Sequence, residues 1–102
     1  MIVNNKPAVD AVSELVSAES GFELFLTCFA CNTGSADAVI TVYAVPAEGT
    51  PGVGTEVYYE LPLMAKDTFA FTPLHLDSGE SVHVKSSTGE VVFTATGQRL
   101  VK

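Results

Sequence analysis

Basic residues are scarce in this chain: five lysines and arginines stand against twelve aspartates and glutamates, a net charge of −7. Binding a phosphate backbone needs clustered cations, so no nucleic-acid partner is expected, and the acidic surface reads first as solubility. No run of about 18 apolar residues occurs, which argues against a membrane-spanning helix and a membrane role. Met1 to Asp10 has no basic segment leading into an apolar one, so no secretion signal is read and the chain is expected to stay where it is made.

Residues that carry chemistry are also few. The two cysteines, Cys28 and Cys31, have C-x-x-C spacing, but CFAC falls in the middle of a strand, where an offset of three residues puts the sulfurs on opposite faces. A thioredoxin-type pair needs a strand-to-helix turn, and a zinc site needs two further ligands. Buried free thiols, and assembly in a reducing cytosol, are therefore expected. His75 and His83 have no Cys or Asp at ligand spacing and read as surface or satisfied histidines. There is no G-x-S-x-G elbow, and the glycine-rich TPGVG lacks the lysine and helix of a phosphate loop. Glu56 and Glu60 share a strand face as solvated charges would. No catalytic residue, metal ligand or cofactor is assigned, and the chain is not expected to be an enzyme.

What the sequence does contain is strands. With 102 residues it has room for one domain, and a chain of this size buries roughly 60 to 70 per cent of its unfolded surface, enough for a core without staples. Phe22 to Asn32, FELFLTCFACN, is too short and too aromatic for a helix, lies between Gly21 and the Asn32-Thr33-Gly34-Ser35 turn, and reads as a central strand. Leu24, Leu26, Cys28 and Ala30 fall on one side of it, Phe25, Thr27, Phe29 and Cys31 on the other. Ala38 to Val45 and Glu56 to Leu63 follow as strands, the latter at a sheet edge because Pro62 cannot donate to a ladder. Thr68 to Thr72 brings Phe69 and Phe71 to one face, Ser81 to Ser87 points Val82 and Val84 inward, and Glu90 onward forms the last strand, with Gly97 as a bulge or close-approach site. Ser13 to Ser17 is expected to pair with the central strand as a first hairpin, and Asp77-Ser78-Gly79 carries a second hairpin signal. Residues 1–12 read as an extended N-terminal arm and residues 13–102 as one domain. About seven short strands with turn signals between them predict an all-β fold, an antiparallel β-sandwich of jelly-roll or Ig-like type.

One thin core does not need so many apolar residues. Phe25, Phe29, Ile40, Val42, Tyr58 and Tyr59 fall on faces that would otherwise meet solvent, and such a surplus marks a protein interface unless a flap or loop of the same chain covers it. The subunit-interface candidates are Phe25, Phe29, Tyr58 and Tyr59, and self-association follows from them.

The stretches FLTCFACNTGSADAVITVYAVPAEG and YYELPLMAKDTFAFTPLHLDSGESVHVKSSTGEVVFTATG resemble a group of small tailed-phage virion proteins. The matching positions are Cys31-Asn32, Thr41 to Pro46, Leu61 to Leu63, Asp67-Thr68-Phe69, Leu74 to Leu76, Ser78-Gly79-Glu80 and Gly97. At the end the chain departs from the group, closing with Gly97-Gln98-Arg99-Leu100. The resemblance implies a non-enzymatic β-sandwich building block, foremost a capsid decoration or cement protein. Such a subunit would assemble in the host cytoplasm, form a homotrimer, and bind the major capsid protein or another virion protein to stabilise the shell. The arm, through Ile2, Val3, Asn4 and Asn5, would then brace neighbouring subunits by strand addition. A neck, tail or fibre component and a carbohydrate-binding sandwich, using Tyr58 and Tyr59 beside the Ala47 to Gly54 loop, are the other readings.

Overall fold

A computed structural model describes residues 1–71 and 73–102; Thr72, expected at the end of a strand, lies outside the described residues. The described chain is all-β. Its strands are β1 (Ile2–Asn5), β2 (Ser13–Ser17), β3 (Phe22–Asn32), β4 (Ala38–Val45), β5 (Glu56–Leu63), β6 (Thr68–Ala70), β7 (Leu74–Leu76), β8 (Ser81–Ser86) and β9 (Val91–Val101). They form two antiparallel sheets, β1-β9-β3-β6 with β7 also on β3, and β2-β8-β4-β5. If β6 and β7 count as one interrupted position, the ladders join first to last, second to next-to-last, third to sixth and fourth to fifth. This is a long hairpin rolled over on itself, the winding of a jelly roll.

The central strand sits where its sequence places it. β3 pairs with β9 along eleven residues, from Phe22 opposite Val101 to Asn32 opposite Val91, and its other edge carries β6 and β7. Leu24, Leu26, Cys28 and Ala30 face the opposite sheet and are buried, as are Val91, Phe93 and Ala95 of β9. Val82 and Val84 of β8 meet them from the second sheet, also fully buried. Along the β5–β6 side an aromatic cluster closes the gap: Tyr58 meets Phe69 edge-on at 5.2 Å between centroids and Phe71 at 5.5 Å, and Phe71 reaches Phe93 at 6.5 Å. Rings in such tilted and edge-on pairs add stability beyond their burial.

In several places the chain departs from the expectation. The described residues form nine strands instead of seven, because Leu74–Leu76 pairs independently with β3 and because the expected arm is itself a strand. Ile2–Asn5 alternates, with Val3 packed on the core, and lies antiparallel on β9 from Ile2 opposite Thr96 to Asn5 opposite Phe93. The Ser13–Ser17 and Phe22–Asn32 segments do not form a hairpin. A bulge after Glu14 turns both Leu15 and Val16 inward, and the ladder of β2 runs to β8. Ala18 then donates to Glu80 O at 2.9 Å and accepts from Gly79 N at 2.8 Å, so residues 18–21 cross from one sheet to the other. The Asp77-Ser78-Gly79 turn makes the same kind of crossing, from β7 to β8.

The remaining departures concern which side chains face inward. Ile40 and Val42, expected outside, point into the core with 0% and 1% exposure because they lie beside the inward residues Ser86 and Val84 of β8. On β5 the alternation breaks: Leu61 pairs with Ile40 and Tyr58 with Val42, leaving Tyr59 and Glu60 together opposite Thr41. Glu60 adopts a left-handed backbone, φ 48°, and its N–H donates to the Thr41 hydroxyl at 3.3 Å. This bulge sends Tyr58 inward and both Tyr59 and Glu60 outward.

Candidate interaction surface

The period of two along β3 leaves one set of its side chains on the outside of the sandwich, and among the described residues no other element covers them all. Phe25 is 44% exposed, with Phe29 and Cys31 half-buried further along the strand. Cross-strand pairing extends this face to both sides. Phe25 lies opposite His75 of β7 and Gln98 of β9, Phe29 opposite Ala70 of β6 and Thr94 of β9, Cys31 opposite Val92, and Glu23 opposite Leu100. Ile2, 72% exposed, adds the edge strand, since it pairs with Thr96 and through it with Thr27. Large apolar side chains on a solvent-facing sheet are unusual unless something packs on them.

The polar residues of this face are used mainly to set positions. The Thr94 hydroxyl donates to Asn4 Oδ1 at 2.7 Å, which ties the edge strand to β9. His75 stacks on Phe25 at 4.6 Å between ring centroids and lies 3.4 Å from the Glu23 carboxylate. Beyond it, Lys102 pairs with Asp77; the hydrogen bond from Lys102 holds the Asp77 carboxyl below its usual range and raises the ammonium in turn. This charged corner ends the apolar face at the C-terminal end of β9.

The four sheet edges differ. β5 carries Pro62 and the Tyr59–Glu60 bulge, β2 carries the bulge after Glu14, and β6 and β7 are three-residue segments. Each is a known way of blunting an edge. β1 has none of them: its four residues run in regular register on β9, and no backbone hydrogen bond joins it to β2 among the described residues. Among the described residues Asn5 alone reaches across by hydrogen bonding, its Nδ2 donating to Ser13 Oγ and Glu14 O, both at 2.8 Å.

The chain matches no family model, curated protein or solved structure. The residues expected to act together therefore stand on geometry alone, and it divides them. Phe25 and Phe29 share the outer face of the β1-β9-β3 sheet with Ile2 and Asn4, whereas Val3 and Asn5 point the other way. Tyr59 is 66% exposed on the opposite side of the sandwich, and Tyr58 lies between the sheets in the aromatic cluster. Leu100, Val92 and Ala70, which complete the face around the phenylalanines, are invisible as a group in the sequence because two different ladders, β3–β9 and β3–β6, bring them there.

The chemistry-bearing residues are spread apart. Among the described residues no three His, Cys, Asp or Glu side chains gather as metal ligands would. Cys28 and Cys31 are free thiols on opposite faces of β3, Cys28 buried and Cys31 half-buried. Burial pushes the Cys28 thiol up to about 11, so it stays protonated and unreactive at neutral pH.

Proposed function

We propose that this chain is a non-enzymatic structural subunit of a tailed-phage particle, a capsid decoration protein that associates with itself and docks on the major capsid protein lattice. One observation carries the reading most of the way: the outer face of the β1-β9-β3 sheet holds Phe25, Ile2 and Leu100 at 44%, 72% and 43% exposure. A small acidic domain gains nothing from such a face alone and gains stability by covering it. The unblunted edge at β1 supports the same reading, because an extended segment of a neighbour can add to it there. Contacts of this kind are individually weak, and repetition across a lattice multiplies them. The likeness to small virion proteins supplies the particle; jelly rolls also serve as viral capsid domains, though they serve in lectins too.

The test is a pair of measurements on purified protein, sedimentation for subunit number and co-sedimentation with empty shells for docking. A homotrimer that binds shells, and a Phe25→Ser variant that is folded yet loses one or both properties, is the expected result. A monomer that leaves shells unbound overturns the proposal. A count of a few copies per virion instead of hundreds would move the subunit to the neck, tail or fibre.

A further inference from the structure

On the other side of the molecule, the outer face of the β2-β8-β4-β5 sheet has a different character. A cleft of about 290 Å³ lies there, lined by Asp10, Val39, Thr41, Glu60, Lys85 and Ser87. Lys85 stands directly opposite Thr41 in the β4–β8 ladder, and the β5 bulge brings Glu60 to Thr41 from the other side. Asp10 is held over the end of β8 by its N–H, which donates to Ser86 O at 2.8 Å. Of the four non-glycine residues with positive φ among the described residues, two, Asp10 and Glu60, line this one cleft. Backbone held in that region costs free energy and persists where the surroundings demand it.

The hydrogen-bonding inventory of the cleft is unfilled. The Asp10 and Glu60 carboxylates and the Lys85 ammonium make no ion pair or side-chain hydrogen bond among the described residues. Thr41 Oγ1 accepts from Glu60 N, and Ser87 Oγ accepts from Val39 N at 2.8 Å, so each hydroxyl has a proton left to donate. Donors at Lys85, Thr41 and Ser87 therefore alternate with acceptors at Asp10 and Glu60 within one concavity. Val39 adds an apolar wall to the cleft, and Tyr59, outside the lining, is the exposed residue next to Glu60 in the same bulge.

We infer that this cleft is a binding site for a neutral carbohydrate. A sugar hydroxyl donates and accepts at once, so vicinal hydroxyls satisfy a mixed array that a carboxylate, a phosphate or a lone ammonium ligand would satisfy only in part. The apolar C–H face of the pyranose is matched by Val39 and the Tyr59 ring. A guanidinium or ammonium group of a partner protein would suit the two carboxylates but meets Lys85 between them. The site is independent of the lattice reading, since it lies on the opposite sheet from Phe25 and Phe29.

The experiment is an amide-resolved NMR titration of the full chain with neutral oligosaccharides, maltohexaose, cellohexaose and a β-galactan hexamer, at about 10 mM, where a site of millimolar affinity is nearly filled. Shifts confined to residues 39–41, 59–60 and 85–87 with at least one of them are expected. Lys85→Met and Tyr59→Ala, both at solvent-facing positions, should keep the native spectrum elsewhere and weaken binding by about tenfold or more. No shifts with any of the three, shifts centred on the Phe25 face, or binding indifferent to both substitutions overturns the inference, as does a response to an arginine-rich peptide with none to the sugars.

Discussion

Replacing Asn32 with alanine removes one side chain that fastens the end of the central strand to the loop after it and to the end of β5, and its cost can be worked out bond by bond. Asn32 has no exposed surface. Its Nδ2 donates to Leu63 O at 3.1 Å, which lies in the opposite sheet, and to Ala36 O at 2.9 Å, while its Oδ1 accepts from Gly34 N at 3.0 Å. The Leu63 carbonyl bond is buried and the other two are partly so. A buried acceptor left without its donor costs about 1 to 3 kcal/mol, and a partly wetted bond about 0.5 to 1 kcal/mol. The sum is about 2 to 5 kcal/mol, a large share of the roughly 5 to 15 kcal/mol that holds a small domain together. For a chain of this length it corresponds to a melting point lower by about 10 to 20 °C in a thermal unfolding scan at neutral pH. Asn32→Asp sharpens the test. It keeps Oδ1 but turns a second oxygen toward two carbonyls, so its carboxyl should ionise at a higher pH in the folded state than in the unfolded chain. Stability then falls as pH rises through the unfolded value, and the aspartate variant should melt closer to the parent at pH 4 than at pH 7. Thr94→Val, which removes an exposed hydroxyl bond to Asn4, serves as the control and should cost no more than about 1 kcal/mol. If Asn32→Ala melts within a few degrees of the parent, or no lower than Thr94→Val, the role assigned to this asparagine is refuted.

Gly97→Ala should destabilise by roughly 2 to 4 kcal/mol in denaturant titration, because a Cβ there would stand 1.9 Å from Phe25 O on the facing strand and force the β3–β9 ladder apart. Under native conditions a thiol reagent should label Cys31 and leave Cys28 untouched until the chain unfolds. Because the folded Cys28 thiol ionises only near 11, its contribution to stability is complete below pH 9 and is lost as pH rises toward 11. A Cys28→Ala variant should therefore show a shallower loss over that interval in pH-dependent unfolding. Deleting residues 1–7 should lower the melting point measurably, since Val3 packs on the core and Pro7 is buried; an unchanged melting point would show that β1 contributes nothing to the fold.

Much of the fold was legible where a single strand carries its own pattern. FELFLTCFACN declares a central strand through its length, aromatics and flanking turns, and its inward set was assigned correctly because β3 runs unbroken for eleven residues. Pro62 likewise marked β5 as an edge. What failed depends on partners distant in sequence. Residues 18–21 and 77–80 have turn composition, but composition does not say whether a turn returns to the same sheet or crosses to the other. Ile40 and Val42 sit on a strand apolar on both faces, so alternation could not orient them. Tyr58 turns inward through one bulge, where Glu60 N donates to Thr41 nineteen positions away, and a strand's own alternation does not show it. The surplus of apolar residues was legible as a quantity; its location required knowing that β1, β9, β3, β6 and β7 share one sheet.

Neighbouring positions on β3 show why one small fold can carry two unrelated surfaces. Leu24 is 2% exposed and Phe25 44% exposed, and they differ only in which way the pleat turns them. The jelly-roll winding constrains the inward set, Leu24, Leu26, Cys28, Val82, Val84 and Phe93, because each must fit residues from the other sheet. The outward sets are held only by the ladders beneath them. Phe25 and Ile2 on one side, and Lys85, Glu60 and Tyr59 on the other, are therefore free to answer to whatever they touch. An apolar face that calls for protein contact and a polar cleft with unfilled donors and acceptors can coexist on such a body without either disturbing the core. Substitutions in one should leave the other unchanged, because no side chain of either set reaches through the sandwich.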